Sequence, residues 1–182
     1  MASWNGTGID PFLPERLASE LQIVAAERRI YNEWLGAVGD WLVKVKRGVL
    51  AGPSPDPAAV WAHVEDWTTH MGRFVDGPVK DTMGIAYAEM LGDGYQFDTR
   101  PAAVAHLAEV ANRMVRTPDL VYDLVAGQVA HGATAGQSIA DIAARVEEIL
   151  SVTGTERWAG RAVTVARTDT LGAHNAGRVS NW

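Results

Sequence analysis

Between residues 14 and 49 the apolar side chains recur in steps of four and three: Leu17, Leu21, Val24, then Tyr31, Leu35, Val38, Leu42, Val45 and Val49, with only Arg28 breaking the series. A second row, Ile23, Ile30, Trp34 and Trp41, lies beside the first. Two adjacent rows make a face wider than a two-stranded coiled-coil seam, so this segment predicts one long amphipathic helix packed against several neighbours. Unbroken, it would run roughly 50 Å at 1.5 Å per residue. Gly36 and Gly39 are the places where it could bend, and Lys44, Lys46 and Arg47 suit its negative C-terminal end.

The rest of the chain is punctuated at the same period. Gly52-Pro53-Ser54-Pro55-Asp56-Pro57 is a stop followed by a start, with Asp56 as N-cap and Pro57 at the first helical position. Val60, Trp61, Val64, Trp67, Met71, Phe74 and Val75 then keep helical spacing until Gly77-Pro78 imposes a break or a kink. Another helix is expected over 79–91, ended by Gly92-Asp93-Gly94. Thr99 and Pro101 open the next, with Val104, Leu107, Ala108, Ala111 and Val115 as its expected apolar face. Thr117-Pro118-Asp119 starts a helix running to about 131, and Gly132 and Gly136 lead into Ser138 and the face Ile139, Ile142, Val146, Ile149. After Thr153-Gly154-Thr155 a last helix is expected over about 156–178. No stretch alternates long enough to be a strand. The fold class is therefore all-α: a long N-terminal amphipathic helix followed by a bundle of about five to six shorter helices. The organisation expected is a flexible arm over 1–13, a helical region over 14–131 and a helical C-terminal region over 132–182.

Charge and composition narrow the function. A formal net charge of -6 opposes a general grip on nucleic acid, which needs clustered Lys and Arg facing phosphates. No uninterrupted apolar run reaches the roughly 18 residues that span a bilayer, so no membrane partner is expected. Cysteine is absent, which removes disulfides, thiolate metal sites and cysteine nucleophiles. His63 and His70 lie seven apart with Glu65 and Asp66 nearby, but helical zinc proteases space their histidines by four. Glu33, Asp40, Asp76, Asp81 and Glu89 are carboxylates whose spacing does not separate an acid–base pair from a solvated face. Phosphate loops, dinucleotide glycine motifs and nucleophile elbows do not occur. The expectation is a non-enzyme with no catalytic, cofactor or metal residues. Seven tryptophans are many for 182 residues. Trp34, Trp41, Trp61 and Trp67 follow the apolar period and are expected in the core, whereas Trp4, Trp158 and Trp182 stand at segment ends and are candidate anchors for a partner.

The most informative stretch is Gly136-Gln137-Ser138-Ile139-Ala140-Asp141-Ile142-Ala143, followed by Arg161-Ala162-Val163-Thr164-Val165-Ala166-Arg167-Thr168-Asp169-Thr170 and Ala173-His174-Asn175-Ala176-Gly177. It resembles the signature of the Mu F-like phage head morphogenesis family, in which a G-x-S-x-x-x-I-A helix precedes R-A-x-x-I-A-R-T-E and A-x-N-x-G closes the pattern. The chain departs by Val165 for Ile and Asp169 for Glu. The likeness covers about 136–177. Family members usually continue into a further C-terminal portion, whereas this sequence stops at Trp182, as a natural short form or as a piece of a longer protein.

Independently of that likeness, Ala159, Ala162, Ala166, Thr170, Ala173 and Gly177 recur every three or four residues, a stripe of small side chains that lets another helix backbone come close. Arg161, Arg167 and Arg178 sit off the stripe, where they are placed to pair with Glu147, Glu148 or Asp141 or to reach an acidic partner. The motif and interface candidates are Arg161, Ala162, Ala166, Arg167, Thr168, Asp169, Ala173, Asn175 and Gly177. The resemblance implies a minor head protein of a tailed bacteriophage that associates with the portal and other head proteins, supports head assembly, DNA packaging or ejection, and is located in the virion after assembly in the host cytoplasm. Two alternatives are the N-terminal carrier region of a longer phage-encoded toxin or enzyme, and a DNA-binding packaging factor using Lys44, Lys46, Arg47 and the C-terminal arginines on packaged DNA.

Overall fold

The computed structural model describes residues 13–91, 100–152 and 156–179, and among these the chain is all-helical. Helix α1, Leu13–Val49, is a single helix of 37 residues, about 55 Å long, and passes through Gly36 and Gly39 without interruption. Its buried stripe is Ile30, Trp34, Val38, Trp41, Leu42, Val45 and Val49, drawn from both apolar rows. Towards the start of the helix the rows separate. Ala26 is buried and Ile23 half-buried, whereas Leu21 and Val24 are exposed. Arg28 belongs to the row of Leu21 and Val24, and that charged interruption marks the side facing water. The side chain of Leu17 lies outside those described.

Asp56 caps the next segment as its sequence predicts: its carboxylate accepts from the Ala58 amide at 2.9 Å, with Pro57 following. What it caps, however, is a 3-10 helix, Pro57–His63, and α2 begins only at Val64 (Val64–Phe74). The Trp41 indole donates to the His63 carbonyl at 2.7 Å, at the junction where the helix changes winding. Gly77-Pro78, where the sequence predicts a break or a kink, does not break the helix: a π-turn, Val75–Val79, leads directly into α3, Lys80–Leu91. Pro78 has no N–H to donate and its ring crowds the carbonyl four residues back, and the wider winding relieves both. The Thr82 hydroxyl donates to the Pro78 carbonyl at 2.7 Å.

Helix α4, Pro101–Val115, turns a different side inward from the one expected. Ala103, Val110 and Met114 are buried, with Leu107 and Ala111 packed at the margin, while Val104 is 51% and Val115 56% exposed. Both rows are apolar and one residue apart, about 100° around the helix, so period alone does not choose between them. The Trp67 indole chooses by donating to the Met114 carbonyl at 2.8 Å, which seats that end of α4 on α2.

Helix α5, Thr117–Thr134, follows after a single residue and ends at Gly136, whose φ of 66° supplies the left-handed turn that a helix end often needs. Ser138 caps α6, Ile139–Ile149, by accepting from the Asp141 amide at 3.2 Å. Gly132 and Ile142 are in close approach between α5 and α6, leaving no room for a Cβ at Gly132. Helix α7, Glu156–Val179, completes the bundle and runs antiparallel to α1: Val152, just before it, touches Gly39, and Arg167 meets Glu27. Thr99, Gly92-Asp93-Gly94 and Thr153-Gly154-Thr155 lie outside the described residues.

One contiguous core contains residues from all seven helices, including Ile142, Val146, Trp158, Ala162, Ala166 and Ala173 from the C-terminal region. Trp41 and Trp67 meet at its centre with ring centroids 5.1 Å apart. No helix among the described residues is long and apolar enough to cross a membrane.

Candidate functional site

The segment carrying the sequence motif is α7, and its small stripe faces inward. Ala162, Ala166, Thr170, Ala173 and Gly177 are all buried, and α7 packs chiefly on α1 and α3. The tightest point is Gly177, where a Cβ would stand 2.6 Å from the Met83 carbonyl oxygen of α3. The stripe is thus used within the chain, and a partner would meet the opposite side. Outward, Thr164, Thr168, Leu171 and Asn175 follow one another at three or four residues, and all are exposed, Leu171 at 55%.

The tryptophan expectations need two corrections. Trp158 is fully buried and donates its indole N–H to the Ile149 carbonyl at 2.9 Å, so it tethers α7 to the end of α6 and is no partner anchor. Its place near a helix start looked peripheral only because α6 is folded back beside it. Trp61 is not core: it is 43% exposed and lies against Tyr122 of α5, with centroids 5.3 Å apart. It sits in the 3-10 helix, whose turn of three residues shifts it off the side that an α-helix would have buried. Trp4 and Trp182 lie outside the described residues.

The charged motif residues also depart from expectation. Arg167 pairs with Glu27 of α1 at 3.3 Å, and Glu147 of α6 pairs with Lys46 at 3.3 Å, so Arg167 bridges to the long helix rather than to the helix before it. Asp169 is only 1% exposed and is ion-paired to Arg113 of α4, which also holds Glu109 at 2.7 Å. Burial pushes the Asp169 carboxyl up to about 6, against the opposing pull of the Arg113 guanidinium and with a small further push from Glu109. Its second oxygen, Oδ2, has no hydrogen-bond partner. Arg113 was invisible as a site residue in sequence: it lies 56 positions from Asp169 in an unremarkable helix.

Three further polar side chains of α4 and α7 are half-buried or buried. His106 of α4 rests on Gly172, where a side chain would collide with its ring, and its Nε2 has no hydrogen-bond partner. Burial, then the nearby Arg113 charge, push the His106 imidazole below its ordinary value, with Glu109 opposing. His174 lies 3.5 Å from Glu89 of α3. Arg161 has no carboxylate partner among the described residues; its Nε is buried and unpartnered, and burial lowers its guanidinium below the usual value.

The remaining candidates are dispersed. His63 ends the 3-10 helix and lies 3.5 Å from Asp66, whose carboxylate is held low by its hydrogen bond from Lys44, so the two histidines do not share one α-helical face. His70 lines a shallow groove between α1 and α2 with Glu33, Asp40 and Arg73. Asp81 pairs with Arg29 at 2.8 Å. Among the described residues no group of three or more His, Asp or Glu is arranged to hold a metal ion. No family model, curated protein or solved structure matches the chain.

Proposed function

We propose that the chain is a structural, non-enzymatic head-assembly protein of a tailed bacteriophage, located at the portal vertex of the virion, which docks on the portal through exposed helical surface. The observation that carries this reading is the division of labour on α7. The small positions of the motif, Ala162, Ala166, Ala173 and Gly177, are consumed by intramolecular packing, and Asp169 by its pairing with Arg113. Thr164, Thr168, Leu171 and Asn175 are left as a continuous outer strip that nothing else in the described chain covers. A helix packed along its inner side on α1 and α3 offers a preorganised surface, which lowers the ordering cost of association. Trp61 and Tyr122 add an aromatic pair of the type that anchors interfaces, on the side formed by the 3-10 helix and α5.

Of the three N-terminal cations of the DNA-binding alternative, Lys44 is already paired with Asp66 at 2.9 Å and Lys46 with Glu147, which leaves Arg47 alone. Co-sedimentation of the purified chain with portal oligomers tests the proposal. Association retained at high salt and weakened by Leu171→Lys supports it. Failure to associate, or binding indifferent to the outer strip of α7, overturns it.

A further inference from the structure

We propose that the groove between α4 and α7 is a docking site for an acidic segment of a partner protein, whose carboxylates pair with Arg116 and Arg161. The groove has a volume of about 580 Å³ and is lined at one end by Ala105 and Ala108, at the other by Asn112, Arg113, Arg116 and Arg161, and between them by Glu109, which Arg113 neutralises. Ala105, Ala108, Asn112 and Arg116 follow one face of α4 over three turns, roughly 16 Å, the reach of an extended peptide of about five residues. A smaller cleft of about 160 Å³ shares Arg113 and Arg161 and continues to Thr164, Thr168 and Asp169.

The charges in this region are unevenly matched. Arg113 is already held by Glu109 and Asp169, whereas Arg116 and Arg161 have no carboxylate partner among the described residues. Arg161 is the more demanding of the two, because its Nε is cut off from water with nothing to donate to. A half-buried guanidinium without a counter-charge is costly, and an incoming carboxylate that binds its two terminal nitrogens supplies that counter-charge. The end charges of the helices do not decide the matter, since the C-terminus of α4 and the N-terminus of α5 meet at Arg116 and oppose one another.

A peptide fits better than a nucleic acid. Glu109 stands exposed within the groove and would repel a continuous row of phosphates, and the chain as a whole carries a net charge of -6. Carboxylates spaced along a peptide avoid it, while the peptide's apolar side chains lie over Ala105 and Ala108. The groove asks only for such a segment, so the inference does not depend on the head-assembly reading.

Fluorescence anisotropy of a short labelled Glu-rich peptide, titrated with the full chain, tests it. Binding is expected to weaken about tenfold in Arg161→Gln and again in Arg116→Gln, to be lost when every Glu of the peptide is replaced by Gln, and to be unchanged in Arg28→Gln, an exposed cation on α1. Arg116 is exposed, so its variant reports on binding even if Arg161→Gln proves unstable by circular dichroism. Absence of binding, binding insensitive to both groove arginines, displacement of the peptide by inorganic phosphate alone at low concentration, or tighter capture of a single-stranded oligonucleotide would overturn the proposal.

Discussion

Arg113 and Asp169 join α4 to α7 through an ion pair in which the carboxylate is almost wholly withdrawn from water and the guanidinium is shared with Glu109. The pair is therefore unequal: desolvation of Asp169 outweighs the attraction of Arg113, and one of its oxygens is left without a donor. This relationship places the one strongly perturbed carboxyl group of the described chain inside the motif helix.

Its pH consequence has a definite sign. A carboxyl raised from 3.8 to about 6 binds its proton more tightly in the folded state, so its contribution favours folding below pH 3.8 and is lost as pH rises through about 6. The shift corresponds to on the order of 3 kcal/mol. Urea unfolding of the wild-type chain and of Asp169→Asn should show the stability difference between them moving against the wild type by that order between pH 4 and pH 7. Parallel profiles would mean that Asp169 titrates as an ordinary surface carboxylate.

Glycine positions on α7 separate packing from propensity. Gly177→Ala would drive a methyl group into the Met83 backbone and push α3 from α7, costing about 1–3 kcal/mol. Gly160→Ala meets nothing within 4 Å and should stabilise the same helix by up to about 1 kcal/mol. Thermal melts of both variants check the contrast, and equal effects would show that α3 and α7 are not in close approach.

Trp158→Ala should cost about 3–5 kcal/mol, since it opens a cavity and strands the Ile149 carbonyl. Trp61→Ala should cost less than about 1 kcal/mol, because much of that ring is already in water. Chemical denaturation of the two variants decides whether Trp158 belongs to the core or to a surface.

Gly136→Ala is expected to destabilise the chain by about 1–2 kcal/mol, the penalty of a left-handed backbone for a residue with a Cβ. Differential scanning calorimetry would read this as a lowered melting temperature. An unchanged value would mean that the α5–α6 connection relaxes to another turn.

What the amino-acid order determined by itself was local. Asp56 and Ser138 cap through their own neighbours, Pro57 and Pro101 begin helices because they lack an N–H, and the small side of α7 is set by side-chain size at fixed spacing. These effects act within a turn or two, so they are written in adjacent residues. Tertiary structure alone decided which of two apolar rows α4 turns inward, which tryptophans reach the core, and that Arg113 finds Asp169. Each of those outcomes depends on contacts between residues far apart in the chain, such as Trp67 with Met114, whose energy exists only once the helices have met.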